Sequence, residues 1–197
     1  MFLVFLLLIA SVTSEYVSRN RVTISTDLKA FMNTNGNIWT VYSDNNTTRK
    51  CQEDSKIAIE NNTISFWRNY TVGESRMTMK LEGTIQQQFF LPGAMVLTRK
   101  ENKQEVAKEA DKKWVEVLEY SHPNNTCGVF STWTLSEIKR NRNDAPVLEV
   151  SLSCELRVRE SSGQVVITQE CKDKFHNICH SQREVVIYRR ICSVNRL

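Results

Sequence analysis

From Ile38 to the C-terminus, apolar and polar side chains alternate with a period of two, interrupted at short intervals by turn residues. Alternation of this kind belongs to strands with one buried face. It predicts strands over Ile38–Ser43, 56–60, Thr63–Val72, 76–85, Ala94–Arg99, 113–120, 127–134, 148–160 and 184–192, with turns at 61–62, 121–125 and 161–163. Two stretches break the pattern. Residues 25–33 (STDLKAFMN) read as a short helix capped by Ser25 or Thr26, with Leu28, Phe31 and Met32 on its apolar side. Residues 169–180 (QECKDKFHNICH) place Phe175, Ile178 and Cys179 at helical spacing, a helix packed on the outside of the sheet. Antiparallel strands in local succession predict a sandwich or an up-and-down barrel, and the meander favours an eight-stranded barrel. Such a barrel is filled by side chains or holds one small ligand.

One strand is unusual. In KWVEVLEY, residues 113–120, Trp114, Glu116, Leu118 and Tyr120 share a face. A carboxylate between large apolar neighbours is costly unless the face is wet or a positive group lies against it. Mixed faces of this sort favour a ligand cavity over a packed interior.

The rest of the composition says where the chain works. Residues 1–14 (MFLVFLLLIASVTS) have the short apolar run and small-residue cleavage site of a signal peptide, cut after Ser14, which leaves 15–197 as one exported domain. Six cysteines in an exported chain predict three disulfides, in any of fifteen pairings. Sequons at Asn45, Asn46, Asn61, Asn69 and Asn124 predict glycosylation on exposed segments. The net charge of +4 is dispersed, and the basic spots at 139–142 and Arg189–Arg190 are small, so no nucleic-acid or membrane partner is expected. No catalytic constellation stands out: GESRM around Ser75 lacks the second glycine of a nucleophile elbow, and His122, His176 and His180 have no triad spacing. Cys171, His176, Cys179 and His180 resemble a zinc set on paper, but an oxidising compartment favours disulfides. The expectation is a non-enzyme without cofactor or metal, acting as a monomer.

The order of TDLKAFMNTNGN, IWTVYSDNNTTRKC, NNTCGVF, CELRV, ECKDKFHNIC and YRRIC resembles the salivary lipocalins of ticks, the family that includes the histamine-binding proteins. The resemblance covers most of the mature chain and rests on cysteine placement and motif order; the usual G-x-W is replaced by Gly36 and Trp39, three apart. It implies a lipocalin-type barrel and the bridges Cys51–Cys192 and Cys127–Cys171, and with them Cys154–Cys179. It also implies a ligand site of Tyr42, Glu82, Trp114, Glu116 and Glu155, and sequestration of a small host mediator, a biogenic amine first, to suppress host inflammatory defence. Such an amine, of about eight heavy atoms, binds tightly only near the ceiling of about −1.5 kcal/mol per atom, so it needs fixed carboxylates and aromatic faces.

The chain also departs from the amine-binding members. Gly128 follows Cys127 where they tend to have Asp, and Arg157 follows the Glu-Leu pair where they have Trp or Tyr. The interval from Cys127 to Glu155 is longer, and Met95 and Leu97 stand where an aromatic is expected. These changes predict a less acidic, greasier cavity, with Met77, Met79 and Met95 in its lining. An apolar lipid mediator, a leukotriene or fatty acid, is then the alternative ligand, with Arg76, Arg99 or Arg157 for its carboxylate. Recognition of a host immune protein is a further alternative.

Overall fold

The computed structural model describes residues 27–85, 93–100, 113–138 and 147–194. The signal-peptide segment, the two capping candidates Ser25 and Thr26, and the basic spot at 139–142 lie outside them. Among the described residues, nine strands and three helices follow in order: α1 (Leu28–Met32), β1 (Ile38–Ser43), β2 (Arg49–Glu60), β3 (Thr63–Val72), β4 (Ser75–Ile85), β5 (Ala94–Arg99), β6 (Lys113–Ser121), β7 (Cys127–Ile138), β8 (Val147–Arg159), α2 (Gln169–Cys179), β9 (Val185–Val186) and α3 (Arg190–Val194). Strands β2 to β8 pair antiparallel in sequence order, and β1 pairs with both β8 and β2, closing an eight-stranded barrel. Closure removes the sheet edges that an open meander would expose.

Several elements differ from the sequence expectation; β7 runs to Ile138 rather than 134. Asp27 caps α1, its Oδ1 accepting from the Ala30 N–H at 2.9 Å. Strand β2 begins at Arg49 rather than 56, because its buried positions Gln52, Glu53 and Asp54 are polar and give no hydrophobic signal. Only Val185–Val186 of the expected last strand is extended; the chain then turns into α3, which carries Cys192 to Cys51.

Two apolar clusters flank the barrel wall. Inside, α1 plugs one end: Phe31 meets Phe130 edge-on at 5.3 Å among Ile64, Phe66, Leu81 and Leu118. Outside, α2 lays Phe175 over the outward faces of β1, β7 and β8, burying Val41, Val129, Leu156 and Val158. All three implied disulfides are present, and two of them fasten α2 to β7 and β8 through Cys127–Cys171 and Cys154–Cys179. On β8, then, the apolar residues point out under the helix and the charged ones, Glu155 and Arg157, point in. Period-two patterning fixes that the two faces differ but not which one is interior.

The plug explains the glycine after Cys127. A Cβ at Gly128 would lie 2.8 Å from Leu118 Cδ1 and 2.9 Å from Phe31 Cε2. The position is the floor under the Phe31 ring, so a larger side chain there requires Phe31 and Leu118 to shift.

Candidate functional site

Above the apolar plug lies a layer of buried charge. Arg68 from β3, Asp54 from β2, Glu116 from β6, and Glu155 and Arg157 from β8 converge in the barrel interior. Arg68 makes a bidentate pair with Asp54 (Nε–Oδ1 2.7 Å, Nη2–Oδ2 2.8 Å). It also reaches Glu116 through Nη1 at 2.6 Å and Nη2 at 3.2 Å. Arg157 donates to Glu116 Oε2 at 2.6 Å and, through Nε and Nη2, to Glu155 Oε2 at 2.9 and 2.7 Å. Both guanidiniums stand over phenyl rings of the plug, Arg157 over Phe130 at 4.3 Å and Arg68 over Phe66 at 5.4 Å. Planar, permanently charged forks suit this double duty.

The positive group that Glu116 requires is therefore built into the chain. Burial alone would raise the Glu116 carboxyl, but Arg157 and then Arg68 outweigh it and hold the group well below the usual carboxylate range. Burial works against the charge on Arg68 and Arg157 as well, yet Asp54 with Glu116 for the first, and Glu116 with Glu155 for the second, keep both firmly protonated. Three carboxylates against two guanidiniums leave the layer with one negative charge in excess.

Over this layer is a cavity of about 220 Å³. Register stacks its wall in rows: Trp114, Thr134 and Ser151 in one, Glu116, Thr132 and Ser153 in the next, with Glu155 beside Ser43 of β1. Asn45, Asn46, Thr47 and Arg49, from the β1–β2 connection and the start of β2, also line it, and Met79, Leu81 and Ile187 add apolar surface. Two polar groups of residues in this wall have no partner among the described residues. The Thr132 hydroxyl is one, and it is buried. Glu155 gives Oε2 to Arg157, and among the described residues its Oε1 has no partner.

Of the expected site residues, Trp114, Glu116 and Glu155 come together on this cavity. Tyr42 does not: a bulge between Thr40 and Tyr42 turns it outward, where its ring lies 6.3 Å from Phe175 and 5.0 Å from Lys172 Nζ. Glu82 does not either. It alternates with the interior Leu81 and Gly83, so it faces outward to Lys100 at 3.0 Å. Tyr120 leaves the Trp114 face through a bulge after Leu118 and bonds Glu170 on α2. Met95 is packed against Gly83 in the core rather than lining the cavity, and Met77 is exposed. Arg157 is inward and fully engaged, whereas Arg76 is on the outside near Glu53. Cys171 and Cys179 are disulfide-bonded, which removes both as zinc thiolates.

Sequence reading missed Arg68, Asp54, Thr132 and the serine and threonine rows. Arg68 did carry a signal, since Ile64, Phe66, Arg68 and Tyr70 share a face, the same anomaly that marks Glu116 on β6. Two opposite charges stranded on two apolar faces predict each other. Asp54 lies in RKCQEDS, where neither face is apolar, and offered none.

No protein-family model matches the sequence, and neither does any curated protein sequence. Solved structures do match. The chain is similar to AM182, solved as a serotonin complex, with a TM-score of 0.53 and 13% identity over 85% of this chain and 93% of that one. It is similar to the siderocalin Ex-FABP, described as having dual ligand specificities, with a TM-score of 0.50 and 10% identity over 77% of this chain and 91% of that one. Japanin from Rhipicephalus appendiculatus, bound to cholesterol, aligns with a TM-score of 0.47 and 10% identity over 80% of this chain and 95% of that one. Taken with the closed meander of eight strands, the likeness to the first two makes this fold a lipocalin-type barrel.

Proposed function

We propose that the protein is a secreted carrier that sequesters a small organic cation, a biogenic amine of the size of histamine or serotonin, and so blunts host inflammatory signalling. The observation that carries this reading is the Glu155 Oε1, without a partner among the described residues, in a wall that also holds Trp114. An ammonium brings donors and no acceptor, which suits a carboxylate oxygen and an aromatic face. A volume of about 220 Å³ suits a compact ligand, being below the roughly 300–1,000 Å³ usual for drug-sized molecules. AM182, of like fold, was solved with serotonin.

Glu116 takes a different part from the one its position suggests. Both its oxygens are occupied by arginines, so it acts as a scaffold for the charged layer, and Glu155 is the direct counter-charge. Calorimetric titration of the oxidised, deglycosylated protein with histamine, serotonin and a leukotriene tests the proposal. Saturable amine binding that weakens about 10–100-fold in Glu155→Gln is expected, the size of a lost charge-assisted hydrogen bond. Binding of the leukotriene alone overturns the reading.

A second reading has one observation behind it. Arg49 lines the cavity with its guanidinium over Tyr70 at 4.8 Å and has no acidic partner among the described residues. It offers a seat for an acidic lipid headgroup, and Arg49→Gln then abolishes leukotriene binding while leaving amines unaffected.

A further inference from the structure

The wall of the cavity is not made by the eight barrel strands alone. Strands β1 and β2 pair at Ile38–Asp54 and Trp39–Glu53 and then part. The gap above is filled from the far end of the chain. Val185–Val186 pairs with Ser43 and Tyr42, and Lys50 Nζ donates to the Val186 carbonyl at 2.7 Å. Ile187 then bonds both sides of the gap: its N–H donates to the Val41 carbonyl at 3.0 Å, and its carbonyl accepts from the Cys51 N–H at 3.0 Å. Cys51 has a left-handed backbone (φ 51°) at the point where the β2–β3 register shifts, between Lys50 and Glu53. The Ile187 side chain is 2% exposed and is one of the few apolar groups on the cavity wall.

A ladder this short does not hold a chain end by itself, since terminal segments fray unless tied down. Here the tie is covalent, because Cys192 is bonded to the same Cys51 whose N–H reaches Ile187. The cavity thus has one wall segment that arrives last in the sequence and is clamped to β2.

We propose that residues 185–187 are a liftable stave of the barrel, that Ile187 sets the size of ligand the cavity accepts, and that the Cys51–Cys192 bridge controls how readily the stave opens and the contents exchange. The ligand-dependent part rests on the reading that this cavity binds an amine; the opening of the stave does not.

The test uses two variants, Cys51→Ser/Cys192→Ser and Ile187→Ala, with the other two bridges intact. Amide hydrogen exchange is followed at positions 51 and 187, with Val129 of β7 as the internal reference. In the double variant, exchange at 51 and 187 should quicken at least tenfold with Val129 unchanged, and histamine should dissociate at least tenfold faster. Unchanged protection at 51 and 187 overturns the stave. Faster exchange at Val129 as well means the bridge holds the whole barrel, which also overturns it. In Ile187→Ala, the ratio of serotonin to histamine affinity should rise at least threefold, and an unchanged ratio removes Ile187 as a size determinant. If neither amine binds the native protein, the amine proposal fails while the exchange experiment still decides the stave.

Discussion

Replacing Glu116 by glutamine tests the charged layer at its centre. The carboxylate is fully buried and accepts from Arg68 Nη1 at 2.6 Å, Arg68 Nη2 at 3.2 Å and Arg157 Nη1 at 2.6 Å. Glutamine has the same shape but one acceptor oxygen, and its NH₂ group must face a guanidinium. At least one buried N–H is left without an acceptor, and two cations lose the charge that joins them. Removing one partner of a buried pair costs about 3–5 kcal/mol, against a total stability of roughly 5–15 kcal/mol for a domain. At about 2–4 °C per kcal/mol for a chain of this length, the melting temperature should fall by roughly 6–20 °C. Urea unfolding with the disulfides intact, followed by tryptophan fluorescence, measures the difference. A variant within about 1 kcal/mol of the native protein would show that the layer is hydrated or rearranges freely, and the scaffold role assigned to Glu116 would fail.

The remaining predictions follow from the same geometry. Because Glu116 has its folded value depressed, its stabilisation is complete above the unfolded value near 4.3 and is lost as pH falls toward the folded value; the stability gap between native protein and Glu116→Gln should narrow from pH 7 to pH 3, and a constant gap in urea midpoints contradicts the assignment. Gly128→Asp should cost about 3 kcal/mol or more by driving into Phe31 and Leu118, and equal stability would mean the plug moves aside. Trp114 lines the cavity, so a bound amine should alter tryptophan emission in the native protein and not in Trp114→Phe; a persisting change places the ligand elsewhere.

The sequence was informative where an interior face is apolar and silent where it is polar. β1, β3 and β5 have the bounds their alternation predicts, and the three disulfides are the ones that the resemblance implies. The N-terminal half of β2 escaped notice because it buries Gln52, Glu53 and Asp54, residues that read as a loop. Tyr42 was misplaced for another reason: a one-residue bulge reverses every side chain beyond it, and nothing in IWTVYS marks its position. Glu82 obeys simple alternation from Leu81, which puts it outside, so the family position outweighed the local pattern there. Glu116 needs a cation, as its apolar neighbours imply, and Arg68 and Arg157 rather than a ligand supply it.

The two bridges of α2 join its first turn to β7 and its last turn to β8, at Cys171 and Cys179. A helix docked on a sheet commonly undocks as a unit before the rest of a domain melts, and the sheet it uncovers is what proteases and other chains then attack. Stapled at both ends, this helix has no such low-energy excursion. The apolar band formed by Val129, Leu156 and Val158 stays covered until the barrel itself opens. Wherever proteases meet this chain, its lifetime is then set by global unfolding rather than by breathing at the helix–sheet contact.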